Sequence, residues 1–298
     1  MILDVISGIV IVDKEKGFTS HDVVNVIRKI FGTRKVGHTG TLDPDATGVL
    51  PVCIGKGTKV CDMLTFSDKQ YEAVVRLGLV TDTQDISGNV LEEHAVDVNE
   101  SDVRRVVGEF VGEIDQIPPM YSAIKIGGQK LCDLARKGVE VERKPRKVTV
   151  YSSLMSDFDG VNFRLTVDCS KGTYIRTLCH DIGKALGCGA VMTELRRTKA
   201  SIFDISAAHT LGQLQELASE GKLSDVLMPV DSVFEDYPPL KVGEKIQKRL
   251  CNGAPSYINA APGAYRIYSI DGTFLCIASV DVARDGTRFE IRLKKAFY

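Results

Sequence analysis

Strand-like and helix-like segments alternate along most of the chain, and this order constrains the fold more than any other feature. Residues 8–13 form a nearly continuous apolar run, as expected of a buried strand, and residues 71–80 alternate apolar and polar side chains. Further helices are predicted at about 20–31, 101–110 and 174–186, and further strands at 49–54, 147–154 and 162–169. Such a mixture predicts an α+β domain with a sheet as its spine.

A second, smaller unit is predicted after the sequence Tyr237-Pro238-Pro239. A short helical pattern at 243–250 is followed by strand patterns at 265–270, 274–280 and 289–293. This module has about sixty residues, a size that folds when docked on a neighbour. The predicted domains are therefore 1–237 and 238–298.

Charge is distributed unevenly, although the net charge is only −1. Residues 122–150 hold eight basic and three acidic side chains, and residues 238–298 hold ten and five. Clusters of this kind suit phosphate binding, because a polyanion is felt only within about 10 Å at physiological salt. Solvated surface would produce the same pattern, so charge alone leaves nucleic-acid binding open.

Several classes of protein are disfavoured by composition. No apolar run is long enough to span a bilayer, and the first residues lack the basic start of a secretion signal, so a cytoplasmic location is expected. Eight scattered cysteines offer neither metal-ligand spacing nor a disulfide framework. We therefore expect reduced, mostly buried thiols and no metal site.

The loop 37–48 concentrates residues that could carry chemistry. Asp43 precedes a proline among glycines, and such an aspartate alone is usually a turn former. His38, Thr39 and Thr41 stand nearby, and Thr47-Gly48 leads into the next strand. So much specified loop sequence around one carboxylate suggests that the carboxylate is being positioned.

Six segments, in order, resemble the TruB family of pseudouridine synthases, and the resemblance covers roughly residues 8–235. They are Val12-Asp13-Lys14-Glu15-Lys16-Gly17-Phe18-Thr19-Ser20, Lys35 through Leu50 with Gly40-Thr41-Leu42-Asp43-Pro44, Gln70-Tyr71-Glu72-Ala73, Gln116-Ile117-Pro118-Pro119-Met120-Tyr121-Ser122-Ala123-Ile124-Lys125, Lys171-Gly172-Thr173-Tyr174-Ile175-Arg176-Thr177-Leu178 and Leu195-Arg196-Arg197-Thr198. The resemblance implies a mixed, largely antiparallel sheet flanked by helices, followed by a reduced, β-rich PUA-like domain. It also implies cofactor-free isomerisation of uridine to pseudouridine at position 55 in the T-arm stem-loop of tRNA.

The same resemblance assigns roles to individual residues. Asp43 is expected to be the catalytic aspartate, Arg176 its cationic partner, and Tyr71 the residue that stacks on the base and removes the last proton. The expected substrate-binding residues are His38, Tyr174, Leu195, Lys14 and Lys125, with an inserted segment at about 118–147 closing over the RNA. The expected partner is tRNA, no obligate protein partner is expected, and a monomer is the simpler expectation.

Alternatives remain open at this point. The substrate could be another RNA, the chain could act as an RNA chaperone for tRNA folding, or it could hydrolyse nucleosides. Two departures from the family pattern stand out. Glu15 replaces a common proline, and Leu131-Cys132 stands where the family often has an aromatic residue after the lysine of the inserted segment. Neither change touches the expected catalytic set.

Overall fold

The computed structural model describes residues 6–283 and 286–298. Helices in these ranges are α1 Ser20–Ile30, α2 Cys61–Thr65, α3 Glu100–Glu109, α4 Leu131–Ala135, α5 Ile175–Leu186, α6 Leu211–Ser219 and α7 Glu244–Cys251. Strands are β1 Gly8–Lys14, β2 Val36–His38, β3 Thr47–Ile54, β4 Lys69–Leu77, β5 Leu79–Thr81, β6 Val90–Glu93, β7 Gly112–Gln116, β8 Lys125–Ile126, β9 Gln129–Lys130, β10 Arg146–Ser156, β11 Asn162–Cys169, β12 Ala190–Ala200, β13 Phe203–Asp204, β14 Pro239–Lys241, β15 Ser256–Ile258, β16 Gly263–Tyr268, β17 Phe274–Val282 and β18 Phe289–Ala296.

The main sheet has the strand order β1-β3-β12-β4-β11-β10-β7, with β2 added to β3 and β13 added to β12. Strand β12 runs parallel to β3, and the other neighbouring pairs are antiparallel. The predicted mixed, largely antiparallel sheet is therefore confirmed. Because β12 lies between β3 and β4, it joins the strand that follows the Asp43 loop to the strand that carries Tyr71.

Helices cover this sheet because their apolar stripes match its buried faces. Helix α1 starts at the N-cap Thr19, whose side chain accepts from the Asp22 amide in a reciprocal capping box. Its buried side chains pack against β1, β3 and α6, whereas α3 and α5 pack against the β4, β10 and β11 half. The sheet is thus the spine that the alternating pattern predicted.

Some boundaries differ from the sequence prediction. The predicted strand 71–80 is two strands, because Gly78 adopts φ +87° and ends β4 before β5 begins. Helix α3 starts earlier than predicted, since Asn99 caps it. Strands β7 and β12 and helix α6 were not predicted.

The C-terminal strands form a separate five-stranded sheet in the order β14-β16-β17-β18-β15. Phe234 joins it to the first unit, with ring centroids 6.3 Å from Phe274 and 5.7 Å from Phe297. These rings share a buried cluster with Ile9 and Ile11 of β1. The β-rich C-terminal unit is confirmed, and it docks through an aromatic contact.

Candidate active site

The Asp43 loop is held by hydrogen bonds to its main chain, so the carboxylate is not needed to hold the loop together. The buried Ser20 hydroxyl, at the start of α1, accepts from the Leu42 amide at 2.9 Å and donates to the Leu42 carbonyl at 3.2 Å. On the other side of Asp43, the Gly17 amide donates to the Pro44 carbonyl at 2.9 Å. The Asp43 side chain is 46% exposed, so it faces a space that a substrate can enter.

Lys14 lies beneath the same loop and is fully buried. Its Nζ donates to the carbonyl oxygens of Glu15, Phe18 and Pro44 at 2.9, 2.6 and 3.0 Å. An ammonium group has three donors, and all three are used here. Lys14 is therefore placed to position the loop, and the expectation that it binds substrate directly does not fit this geometry. The bond to the Phe18 carbonyl also spans the turn that contains Glu15.

Arg176 is the cation next to Asp43. It lies in the first turn of α5, is 6% exposed, and places Nε 3.1 Å from Asp43 Oδ2. Its Nη1 is 3.5 Å from Asp85 Oδ2, while Nη2 donates to the Tyr121 carbonyl at 2.9 Å. One buried guanidinium thus joins the Asp43 loop, the β5–β6 connection and the start of the inserted segment. The guanidinium keeps its charge and its fixed donor geometry, so it provides a permanent ion-pair partner for Asp43.

Asp85 was not singled out from the sequence; it lies in the polar, acidic segment 81–88. In the structure this segment folds back, and the Asp85 main chain forms a β-bridge with Met192 of β12. The Asp85 carboxylate also accepts from Thr83 Oγ1 at 2.7 Å. Because one acidic residue among several in a polar loop carries no distinctive signal, the sequence alone could not have identified it.

Two aromatic residues of the predicted base pocket lie near Asp43. Tyr71 and Tyr174 are both partly buried, and burial raises the pKa of each phenol. The Asp43 charge contributes to both increases, which places both rings within its electrostatic reach. Leu195 packs with Tyr71 between the two halves of the core, opposite Ala73 in the β4–β12 register. The structure therefore brings Tyr71, Tyr174 and Leu195 together around the Asp43 loop.

Gln116 fixes Tyr174 and was not singled out from the sequence. This glutamine ends β7 and is 2% exposed. Its Nε2 donates to the Tyr174 carbonyl at 3.0 Å, and its Oε1 accepts from the Tyr174 amide at 2.7 Å. Tyr174 is the N-cap of α5, so these two hydrogen bonds also fix the start of the helix and the position of Arg176 in its first turn.

His38 lies at the end of β2, where the loop starts. Its Nδ1 accepts from the Gly40 amide at 3.3 Å, so this nitrogen carries no proton. Burial lowers the pKa of His38, and the nearby Arg197 and His21 charges act in the same direction. A neutral imidazole with Nε2 as the donor is the form that fits this site.

The inserted segment presents Lys125 to solvent. Lys125 lies on the β8–β9 hairpin, which is exposed, and Leu131 at the start of α4 is fully buried and anchors the segment. The leucine that replaces an aromatic therefore still fills a packing position. Within 6–283 and 286–298, no group of three or more His, Cys, Asp or Glu side chains is arranged to hold a metal ion. None of the helices in the described ranges is long and apolar enough to cross a membrane.

Comparison with known proteins gives a consistent result. Residues 28–175 match the family model described as TruB family pseudouridylate synthase (N terminal domain), and residues 176–235 match the tRNA pseudouridylate synthase B C-terminal domain. The tRNA pseudouridine synthase B of Pseudomonas fluorescens (strain Pf0-1) is 46% identical over 94% of this chain and 93% of that protein. That of Alkaliphilus oremlandii (strain OhILAs) is 47% identical over 85% and 84%.

A solved structure has the same fold. The crystal structure of a Cbf5-Nop10-Gar1 complex contains a chain that is 28% identical to this one, with a TM-score of 0.72 over 98% of this chain and 85% of that chain. The family models and the relatives all name one kind of enzyme. The chain belongs to the TruB family of pseudouridylate synthases.

Proposed function

We propose that this enzyme converts uridine to pseudouridine at position 55 in the T-arm stem-loop of tRNA. The observation that carries the proposal is the 3.1 Å contact between Arg176 Nε and Asp43 Oδ2 at the rim of an open loop. Relatives with 42–47% identity bear the name tRNA pseudouridine synthase B, which supports tRNA as the substrate.

Asp43 is the proposed catalytic residue. Uracil must leave ribose C1′, rotate and rejoin through C5, so positive charge develops on the sugar as the first bond breaks. An adjacent carboxylate stabilises or captures that charge, as in retaining glycosidases. Attack on C1′, attack on the base at C6 and elimination to a glycal all require Asp43 to be ionised, and Arg176 supplies the matching charge.

The target uridine has to leave the RNA stack before this chemistry can begin. Flipping costs a few kcal/mol, which stacking and phosphate contacts must offset. We assign the stacking to Tyr71, the walls of the pocket to Tyr174 and Leu195, and a contact with the extruded nucleotide to His38 Nε2. Tyr71 is also the proposed base for the last proton.

The two basic clusters provide the proposed contacts with the RNA backbone. The inserted segment at 118–147, with Lys125 on its exposed hairpin, would close over the T arm. The five-stranded C-terminal sheet, within the proposed domain 238–298, would act as a PUA-like module that contacts tRNA away from the active site. Recognition by shape and backbone is usual for folded RNA.

The direct test uses an unmodified T-arm stem-loop transcript and maps pseudouridine after incubation with the pure protein. We expect product with the wild type, none with Asp43→Asn, and near-normal activity with the control Asp45→Asn, an exposed aspartate two residues away. Binding of the transcript should stay within a few-fold in both variants.

Each rival predicts a different outcome. Product on ribosomal RNA without product on the T arm would contradict the tRNA assignment. Full tRNA function in cells carrying Asp43→Asn would favour the RNA chaperone. Release of free uracil would indicate a nucleoside hydrolase, which has no need of two basic clusters.

A further inference from the structure

Arg197 is the largest fully buried side chain in the described part of the chain, with 1% exposure. It lies on β12, between β3 and β4. Its Nε donates to the Val49 carbonyl at 2.7 Å, and its Nη2 donates to the Gly40 carbonyl at 3.1 Å. The guanidinium therefore connects β3 to the loop that carries Asp43, directly beneath the proposed active site.

The electrostatic surroundings of Arg197 are unusual for a buried cation. Within the described residues, no carboxylate oxygen lies within 4.0 Å of its guanidinium nitrogens. Its positive charge instead acts on Lys14, Lys69 and His38, each of which has a pKa lowered first by burial and further by Arg197. The pKa of Lys69 is lowered to about 8. The Asp45 and Asp43 charges oppose this effect at Lys14, but Arg197 itself has no such ion-pair partner among the residues that the structure describes. A buried cation without a partner is costly unless an anion forms close to it.

Tyr71 is placed to be that anion. In the antiparallel β4–β12 pair, Tyr71 is directly opposite Arg197, so the two side chains project from the same face. Burial raises the pKa of the Tyr71 phenol, and the Cys169 and Asp43 groups facing it act in the same direction. Arg197 acts against them, through its charge and its proximity to the phenol oxygen.

We propose that Arg197 is a positioning residue for the last proton transfer, holding the Tyr71 phenol in the pocket and stabilising its deprotonated form. In that step the C5–H bond of the rejoined base breaks and its electron pair forms the C5–C6 double bond, while the second electron pair of the C6–N1 double bond moves to N1, which takes a proton from solvent. The proton passes to the Tyr71 oxygen, and the phenol then releases it to solvent. This inference rests on the proposed function, because it requires Tyr71 to be the base.

Arginine suits this position better than lysine. Its planar guanidinium can donate to Val49 and Gly40 and still present Nη1 on another side, whereas an ammonium is a compact point charge. Lysine at position 197 would keep the positive charge but could not reproduce this fixed fork. Comparison of Arg197→Gln with Arg197→Lys therefore separates charge from geometry.

The test reads the ionisation of Tyr71 without using activity. The full-length protein, labelled with ¹³C at the Cζ atoms of tyrosine, is titrated by NMR, and Tyr71→Phe identifies the resonance. We expect the pKa of Tyr71 to rise in Arg197→Gln and to rise less in Arg197→Lys. The control Arg196→Gln should leave it unchanged, because Arg196 Nη2 instead binds Asp13 Oδ2 at 2.7 Å.

Turnover of the T-arm transcript provides the second readout. In Arg197→Gln we expect kcat at neutral pH to fall at least about tenfold, with KM retained and the rising limb of the pH profile moved to higher pH. A Tyr71 pKa equal to the wild-type value in Arg197→Gln would overturn the inference. If Arg197→Gln does not fold, wild-type values of both kcat and the Tyr71 pKa in Arg197→Lys would overturn it.

The two readouts separate this inference from the proposed function. If the Tyr71 pKa is the same in Arg197→Gln as in the wild type, and the wild type modifies the T arm, only the role of Arg197 is refuted. If the Tyr71 pKa is higher in Arg197→Gln but the wild type produces no pseudouridine, the proposed function is refuted and the coupling between Arg197 and Tyr71 stands.

Discussion

Replacing Lys14 by methionine tests whether this residue positions the Asp43 loop or binds RNA. The change removes three hydrogen bonds from a fully buried ammonium to main-chain carbonyls. Bonds to charged groups contribute about 1.5–3 kcal/mol each, but removing a buried charge recovers part of that sum. We therefore expect Lys14→Met to lower the free energy of unfolding by about 3 kcal/mol.

The effect on catalysis follows from the remaining contacts of the loop. Without Lys14, the Pro44 carbonyl keeps its bond from the Gly17 amide, and Leu42 keeps both bonds to Ser20. The loop should loosen without detaching, so kcat should fall by about tenfold, in the range that small misplacement of catalytic groups produces. KM for the T-arm transcript should change less than about twofold, because no donor of Lys14 is free for RNA.

Urea denaturation and steady-state kinetics on the transcript measure both effects. The matched control is Lys16→Met, since Lys16 is an exposed lysine in the same turn. If Lys14→Met raised KM strongly while unfolding stability stayed at the wild-type value, our interpretation of Lys14 would be wrong. The original expectation of direct substrate binding would then be restored.

Three further predictions follow from single contacts. Arg176→Met leaves the neighbouring Asp43 and Asp85 carboxylates without their shared cation, so kcat should fall more than about 100-fold with transcript affinity retained in a filter-binding assay. For His38, the lowered pKa means that the folded chain binds fewer protons than the unfolded chain, so stability should decline as pH falls below 6.5. His38→Asn, whose oxygen can still accept from Gly40, should show less of this decline in urea titrations at several pH values, and an identical decline would contradict the assignment. Thr19→Ala removes the N-cap of α1 and should cost about 1 kcal/mol of unfolding free energy in the same titrations without changing kcat.

Local patterns predicted the elements that bury one face and expose the other. Strand β11 was predicted with the bounds that the structure has, because its apolar residues alternate without interruption. Helix α1 was predicted because its buried valines and Ile27 recur at helical spacing after a capping residue. In both cases one face contacts the core and the other contacts solvent, which is the situation that periodicity describes.

Strand β12 was not predicted although it is central to the sheet. Its second half contains Glu194, Arg196, Arg197 and Lys199, which do not resemble a buried strand. The structure accommodates them by long-range contacts: Arg196 pairs with Asp13, and Arg197 donates to Val49 and Gly40. Partners more than a hundred residues away in sequence leave no local signal.

The site was predicted in composition more than in arrangement. The resemblance paired Arg176 with Asp43, and the structure places these side chains 3.1 Å apart; their catalytic roles remain proposals. It did not reveal that Lys14 is enclosed by carbonyls, or that Asp85 shares the Arg176 guanidinium. These features depend on loops that fold back on themselves, which residue spacing cannot describe.

The position of β12 has a consequence for synthesis of the protein on the ribosome. The Asp43 loop leaves the ribosome early, but Arg197, which binds the loop, and Arg176, which binds the Asp43 carboxylate, lie far downstream in the sequence. Strand β1 also depends on late partners, since Ile9 exchanges main-chain bonds with Met228 and Asp13 donates to the His209 carbonyl. A nascent chain shorter than about 200 residues therefore contains Asp43 but lacks the complete strand β12 and has no assembled site. The sheet cannot join β3 to β4 until β12 has been synthesised.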